Sequence, residues 1–231
     1  MNLLFLLNND KYAAKAFAIM LPKLSEHNIK ILLSQSFVKK NSSPKELQKL
    51  AEIEKYEFNW QEKFSTEAKF CDNINSQKTI TEIKKFNPDL IISIRFNQIL
   101  QQAIIDIPSF GVLNLHSGIL PNYRGVMASF WAILNGEKNL GTTLHYIQNS
   151  TIDTGDIIAF SSGKIDYELS FLENVNNLYD EGSKLILGAI KKISLQEKIK
   201  TIKQSELGSG RYFSYPKSTD IEKFLHIMKL V

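Results

Sequence analysis

Three residues in this sequence have the types and spacing needed for acyl transfer: Asn114 and His116 in VLNLH, and Asp153 in TIDTGDII. Residues two apart on a strand point to the same face, so Asn114 and His116 can project into one cleft. A neutral carboxamide can donate a hydrogen bond to a developing oxyanion. An imidazole, with a reference pKa of ~6.5, can exchange a proton near neutral pH. An Asp from a neighbouring loop can orient that imidazole and favour its charged form. Together the three roles serve transfer of an acyl group to a nucleophile without an enzyme-bound intermediate. The competing reading is structural: a strand-end Asn or His also occurs as a capped or water-bonded loop residue, and Asn-x-His alone does not separate the two.

The elements that must position these groups alternate in type. Apolar runs at 2–8, 29–34, 88–94 and 111–116 read as strands. Helical spacing covers 10–24, 43–56 (Ser43 as cap, Pro44 in the first helical position) and 75–86. Strands separated by helices of this length imply an α/β fold, a mostly parallel sheet with helices on both faces. In such sheets ligands bind beyond the carboxyl ends of the strands, where Asn114 and His116 fall. Farther on come a helix at 127–136, strands at 141–147 and 155–163, and a helical stretch at 169–195. The division expected is a catalytic domain over 1–180 and a small C-terminal extension over 181–231.

Composition narrows the class. The chain has 231 residues, 43% hydrophobic and 23% charged, enough to bury a core without staples. A lone cysteine, Cys71, excludes an internal disulfide and fits a reducing, cytoplasmic compartment. The opening NLLFLL reads as a first strand rather than a leader, and no apolar run approaches the roughly 20 residues that span a bilayer. Net charge is +4, and the lysines of KKISLQEKIKTIK (191–203) read as a solvated helix face, so no nucleic-acid partner is expected. No metal is expected, because no His pair has ligand spacing. His145, between Leu144 and Tyr146, reads as a residue that packs or hydrogen-bonds.

FGVLNLHSGILPNYRG (110–125), followed by IDTGDII (152–158), resembles the signature of the formyltetrahydrofolate-dependent formyltransferases. The likeness covers roughly 88–160 and extends loosely to the N-terminus. It implies a Rossmann-like formyltransferase domain, N(10)-formyltetrahydrofolate as formyl donor, and Asn114, His116 and Asp153 as the catalytic trio. The family's folate pocket maps onto Phe96, Asn97, Gln98, Ile99 and Leu100, and onto the loop with Gln148, Asn149 and Ile152. Much of that contact is through main chain in the family, which tolerates varied side chains. Leu120-Pro121 is expected to turn the chain and Gly125 to let it approach a ligand closely.

Three branches of the family differ in the amine attacked. Methionyl-tRNA enzymes carry a longer C-terminal domain for RNA, whereas 181–231 here is short and not strongly basic. Glycinamide ribonucleotide formyltransferases place a Gly-rich phosphate loop after the first strand, where this chain reads LLNNDKYAAK. Nucleotide-sugar N-formyltransferases match the LP-x-YRG form and the tail GRYFSYPKSTD (210–220). By that resemblance Tyr212, Phe213 and Tyr215 would stack on a base, and Arg124, Arg211 and Lys217 would meet a diphosphate. Alternatively the tail aromatics dock on the core or on a partner chain, and Arg124 makes a loop salt bridge. The implied acceptor is a nucleotide-linked amino sugar of the dTDP-4-amino-4,6-dideoxyglucose kind, used in surface polysaccharide (O-antigen) synthesis, and the implied assembly is a homodimer. The competing functions are a formyltetrahydrofolate hydrolase, a glycinamide ribonucleotide enzyme and a catalytically idle folate or nucleotide-sugar binder.

Overall fold

Strand β1 (Asn2–Asn8) is buried from Leu3 onward. It leads into α1 (Lys11–Met20), whose first turn is capped by the Asp10 carboxylate, which accepts from the N–H groups of Tyr12 and Ala13. Pro22, which has no N–H to continue the ladder, sits in a 3-10 turn at Leu21–Lys23, so the helix stops short of residue 24. Next come β2 (Asn28–Ser34), α2 (Lys45–Glu54), α3 (Trp60–Phe64), β3 (Glu67–Phe70), α4 (Gln77–Phe86) and β4 (Leu90–Ile94). After α5 (Gln102–Ile105) the chain forms β5 (Val112–His116), the two-residue β6 (Arg124–Gly125), α6 (Ala128–Leu134), β7 (Asn139–Ile147) and β8 (Ile157–Lys164). It ends with α7 (Phe171–Ser194), α8 (Gln204–Leu207), β9 (Tyr212–Phe213) and α9 (Ser218–Leu225). The computed structural model describes residues 1–35, 44–55 and 59–231; the expected cap Ser43 and the helix end at 56 lie outside them. Pro44 is the N-cap of α2 rather than its first residue.

Among the described residues, seven strands form one sheet in the order β3-β2-β1-β4-β5-β7-β8. The first five are parallel, β7 runs antiparallel to β5, and β8 antiparallel to β7. Every residue of β4 is buried, as a central parallel strand covered on both faces requires. β3 is different. It is an edge strand of mostly exposed residues, Glu-Ala-Lys-Phe, with no apolar run to announce it. Because β2 lies on one side of β1 and β4 on the other, the strand order reverses between β1 and β4. Their carboxyl ends, with that of β5, open a crevice.

One face of the sheet packs Leu3, Phe5 and Leu7 against α1 and α7, with Phe5 edge-on to Phe17 (centroids 5.1 Å) and Tyr12 stacked on Tyr179 (5.9 Å). The other face packs Leu4, Leu6 and Ile91 against Ile83 of α4 and Ile104 of α5. The C-terminal segment joins the first of these cores: Ile221, Phe224, Met228 and Leu230 are buried in it, and Phe224 stacks on Phe130 of α6 at 4.3 Å. Residue 180, the expected division, lies within the continuous helix α7. Among the described residues, no helix is long and apolar enough to cross a membrane.

Candidate active site

β5 ends at the crevice and projects Asn114 and His116 to one side. After it the chain turns through 117–123 and pairs β6 with β9 of the tail, Arg124 opposite Tyr212 and Gly125 opposite Phe213. Gly125 has φ +92°, and a Cβ there would lie 2.2 Å from the Phe213 carbonyl oxygen. The close approach that needs this glycine is therefore to the protein's own tail. From the other side comes the β7–β8 loop with Asp153, whose φ is +53°. A left-handed non-glycine persists only where its surroundings over-determine it.

Asp153 is the hub. Its Oδ2 accepts from Gly125 N–H at 2.8 Å and lies 3.5 Å from His116 Nδ1. Its Oδ1 lies 3.5 Å from both His145 Nε2 and Asn114 Nδ2. Burial alone would raise its carboxyl, but the His116 charge, the hydrogen bond and charge of His145 and the Gly125 N–H outweigh that. They hold Asp153 well below the usual carboxylate range.

Partners fix the ring nitrogens. His116 Nε2 lies 2.6 Å from the Tyr123 carbonyl oxygen; a carbonyl only accepts, so Nε2 carries the hydrogen and Nδ1 is left facing Asp153. His145 Nδ1 likewise donates to the Tyr146 carbonyl at 2.9 Å. In the neutral ring its Nε2 accepts from Asn114 Nδ2 at 3.1 Å, whereas in the protonated ring the same nitrogen donates to Asp153, and that is the form that lowers the carboxyl. The Asn114 amide is thereby oriented: one N–H is held by His145, and the other points towards Asp153 at the long end of hydrogen-bond reach, where a nearer oxygen can accept it. The expectation that His145 packs or hydrogen-bonds holds, and the bond bears on the site.

These groups line a cavity of about 550 Å³. Phe96, Asn97, Gln98, Ile99 and Leu100 line it, as do Asn149 and Ile152, whereas Gln148 does not. Gln98 is committed to the backbone: its carbonyl accepts from Ile74 N–H at 2.7 Å and its amide donates to the Cys71 carbonyl at 2.8 Å. Asn97 donates to the Gln35 carbonyl, and Gln148 bonds Asp156. The slot therefore offers an aromatic and aliphatic lining with main chain at its rim, the makings of a site for a flat ring.

Residues expected to contact the acceptor split up. Tyr215 lines the cavity; Arg124, Arg211, Tyr212, Phe213 and Lys217 are not among its lining residues. Phe213 docks on the core, stacked on Tyr123 (5.5 Å) and Trp131 (5.1 Å). Tyr212 and Tyr215 stay exposed. Arg124 Nε donates to Gln204 Oε1 at 3.2 Å, the main chain of Arg211 pairs with Arg124 and Pro121, and the Lys217 main-chain N–H donates to Asp220 Oδ2 at 2.9 Å at the start of α9.

A cluster that patterning did not single out closes the β1 side. Arg95 (φ +56°) bonds Asp10 at 2.6 Å and Glu54 at 2.8 Å, and lies over the Tyr12 ring. Burial pushes the Glu54 carboxyl up even beside this guanidinium. Asp10 and Arg95 follow β1 and β4, Tyr12 is in α1 and Glu54 ends α2, and no linear spacing links them. Among the described residues, no group of three or more His, Cys, Asp or Glu could hold a metal ion.

A crevice at the strand-order reversal that brings a carboxamide, an imidazole and a carboxylate together has the groups that acyl transfer in an α/β protein uses. A formyl transferase family model matches residues 19–190, and the chain belongs to that family. It is 36% identical over 132 residues to a methionyl-tRNA formyltransferase of Clostridium tetani, a stretch covering 57% of this chain and 42% of that protein. The chain thus spans less than half the length of that relative. Its fold is similar to a sugar N-formyltransferase from a Shewanella species (TM-score 0.63, 17% identity, 98% of this chain and 87% of that one). A Helicobacter canadensis N-formyltransferase, solved with folinic acid and dTDP-3-aminofucose, is also similar (TM-score 0.62, 20% identity, 94% of this chain and 71% of that one).

Proposed function

We propose that this protein transfers a formyl group from N(10)-formyltetrahydrofolate to the amine of a nucleotide-linked amino sugar. The observation that carries the reading is the convergence of Asn114, His116 and Asp153 on one cavity whose other wall is the Phe96–Leu100 slot. In the reaction, the neutral amine nitrogen bonds to the formyl carbon, and the carbon–oxygen double bond opens to an oxyanion. Asn114 donates to that charge, and His116 joins it as a cation only once its Nδ1 has taken the proton shed by the amine. His116 Nδ1, backed by Asp153, is placed to hold the proton shed by the amine and to return it to the departing folate nitrogen. The products are a formamide and tetrahydrofolate.

The nucleotide-sugar acceptor is supported by fold neighbours of that kind over nearly the whole chain, and by Tyr215 at the cavity wall. dTDP rests on the Helicobacter canadensis neighbour, solved with a dTDP-linked amino sugar, whereas a surface-polysaccharide role and a homodimer rest on the family resemblance alone. A feature of the β1 loop counts against a phosphate beside the amine: the Tyr12 and Ala13 N–H groups at the start of α1 already bond the Asp10 carboxylate. That disfavours glycinamide ribonucleotide. The identity to the clostridial enzyme favours a second acceptor, methionyl-tRNA.

The test is release of tetrahydrofolate from the formyl donor, with dTDP- and UDP-linked amino sugars, charged initiator tRNA, or no acceptor. Release that needs an amino sugar supports the reading and names the acceptor, and release that needs charged tRNA replaces it with the second. Release with no acceptor means a hydrolase, and donor binding without release means an idle binder.

A further inference from the structure

Gln204 is a polar side chain in α8, outside the matched family region, yet it is 4% exposed. Its Nε2 donates to two backbone carbonyls, those of Asp153 and Gly155, each at 2.8 Å. Its Oε1 accepts from Arg124 Nε at 3.2 Å. Two carbonyls can only accept and a guanidinium can only donate, so the carboxamide has one possible orientation with both ends satisfied. The segment before it is anchored as well: Ile202 and Ile157 exchange both main-chain hydrogen bonds, at 2.8 and 2.9 Å.

Those two carbonyls bracket the turn that presents Asp153. The residue sits at φ +53°, where an L side chain needs external support. Gly155 is equally constrained, since a Cβ there would lie 1.8 Å from the Tyr146 carbonyl oxygen. Gln204 spends both donors on this turn, while Arg124 and Gly125 form β6, whose Gly125 N–H reaches the Asp153 carboxylate. One carboxamide thus touches both chain segments that converge on Asp153.

We propose that Gln204 is a positioning residue that sets the Asp153 carboxylate against His116 by clamping the Asp153–Gly155 turn and Arg124 together. The inference rests on the proposed formyl transfer for its kinetic readout, but not for its spectroscopic one. No acid or base chemistry passes through Gln204 itself. Its effect is geometric, on the 3.5 Å separation between Asp153 Oδ2 and His116 Nδ1.

The test is the full chain carrying Gln204→Met, which keeps the volume and removes all three bonds, and Gln204→Asn, which keeps the carboxamide one methylene short. Misplacement of a catalytic group by about 1 Å typically costs about 100-fold, so Q204M should lower kcat by about that factor while KM for the formyl donor holds. The Asp153 carboxyl, followed by its carbon-13 shift and assigned with D153N, should titrate at higher pH in Q204M. Q204N should fall between Q204M and the parent on both readouts, and serves alone if Q204M does not fold. Asp153 titrating as in the parent in these variants would overturn the proposal, whatever happens to kcat or thermal stability. A shifted Asp153 titration in a protein that transfers no formyl group would support Gln204's role and refute the proposed reaction instead.

Discussion

Replacing Asp153 with Asn removes one charge from the centre of the site while keeping the side chain's size. Asp153 Oδ2 lies 3.5 Å from His116 Nδ1, and its side chain is 10% exposed. At an effective dielectric of about 20, a carboxylate–imidazolium pair at that distance attracts by about 5 kcal/mol. With about 1.36 kcal/mol per decade of rate, its complete loss sets a ceiling of between three and four decades. The ~100–10,000-fold cost typical of losing a general base lies in the same range, so kcat for D153N should fall by about 1000-fold. The asparagine oxygen can still accept from Gly125 N–H, so the fold should survive and a circular-dichroism melt should show it. Acid behaviour checks the electrostatics separately. A carboxyl depressed in the folded state contributes stability above its unfolded pKa of about 4, and that contribution is lost as pH falls through the lower folded value. D153N should therefore show a shallower loss of Tm below about pH 4 than the parent. The assay is tetrahydrofolate release under single-turnover conditions with the acceptor found in the panel. A folded D153N within about threefold of the parent kcat would refute the assignment of the proton-handling pair.

Three further outcomes follow from other parts of the structure. Asn114→Ala should lower kcat by about 100–1000-fold while binding of the formyl donor, read by fluorescence titration, stays near the parent value, because the amide is used when charge develops on oxygen. Arg95→Met would leave Asp10 and Glu54 facing each other without their shared cation, so chemical denaturation should show a loss of about 3–5 kcal/mol; a loss below about 1 kcal/mol would mean the cluster is solvated. Phe224→Ala should cost about 3–5 kcal/mol and lower a single cooperative Tm by about 10 °C, since the ring is fully buried against Phe130 and Phe171. Two separate transitions in calorimetry would instead make the C-terminal segment an independent unit.

Periodicity in the chain by itself determined the parallel sheet, because strands such as β4 are buried on both faces and must be written as unbroken apolar runs. It also determined that Asn114 and His116 share a face, since a strand alternates with period two. That Asp153 joins them was legible from the resemblance of its loop to a known signature rather than from spacing. Edge strand β3 was not legible, because a half-solvated strand of polar residues has no apolar pattern to display. The two-residue strands β6 and β9 are legible only as a pair, since each exists through the hydrogen bonds of the other. Only the tertiary structure decided what the tail does. The same aromatic cluster could dock or bind, and packing sent Phe213 onto Tyr123 and Trp131 while leaving Tyr215 at the cavity. The tertiary structure also made His145 the holder of the Asn114 amide, and brought Gln204 to the carbonyls of Asp153 and Gly155. Such hydrogen bonds join residues dozens of positions apart and depend on ångström-scale placement. Linear spacing carries information along one element, and these contacts run between elements.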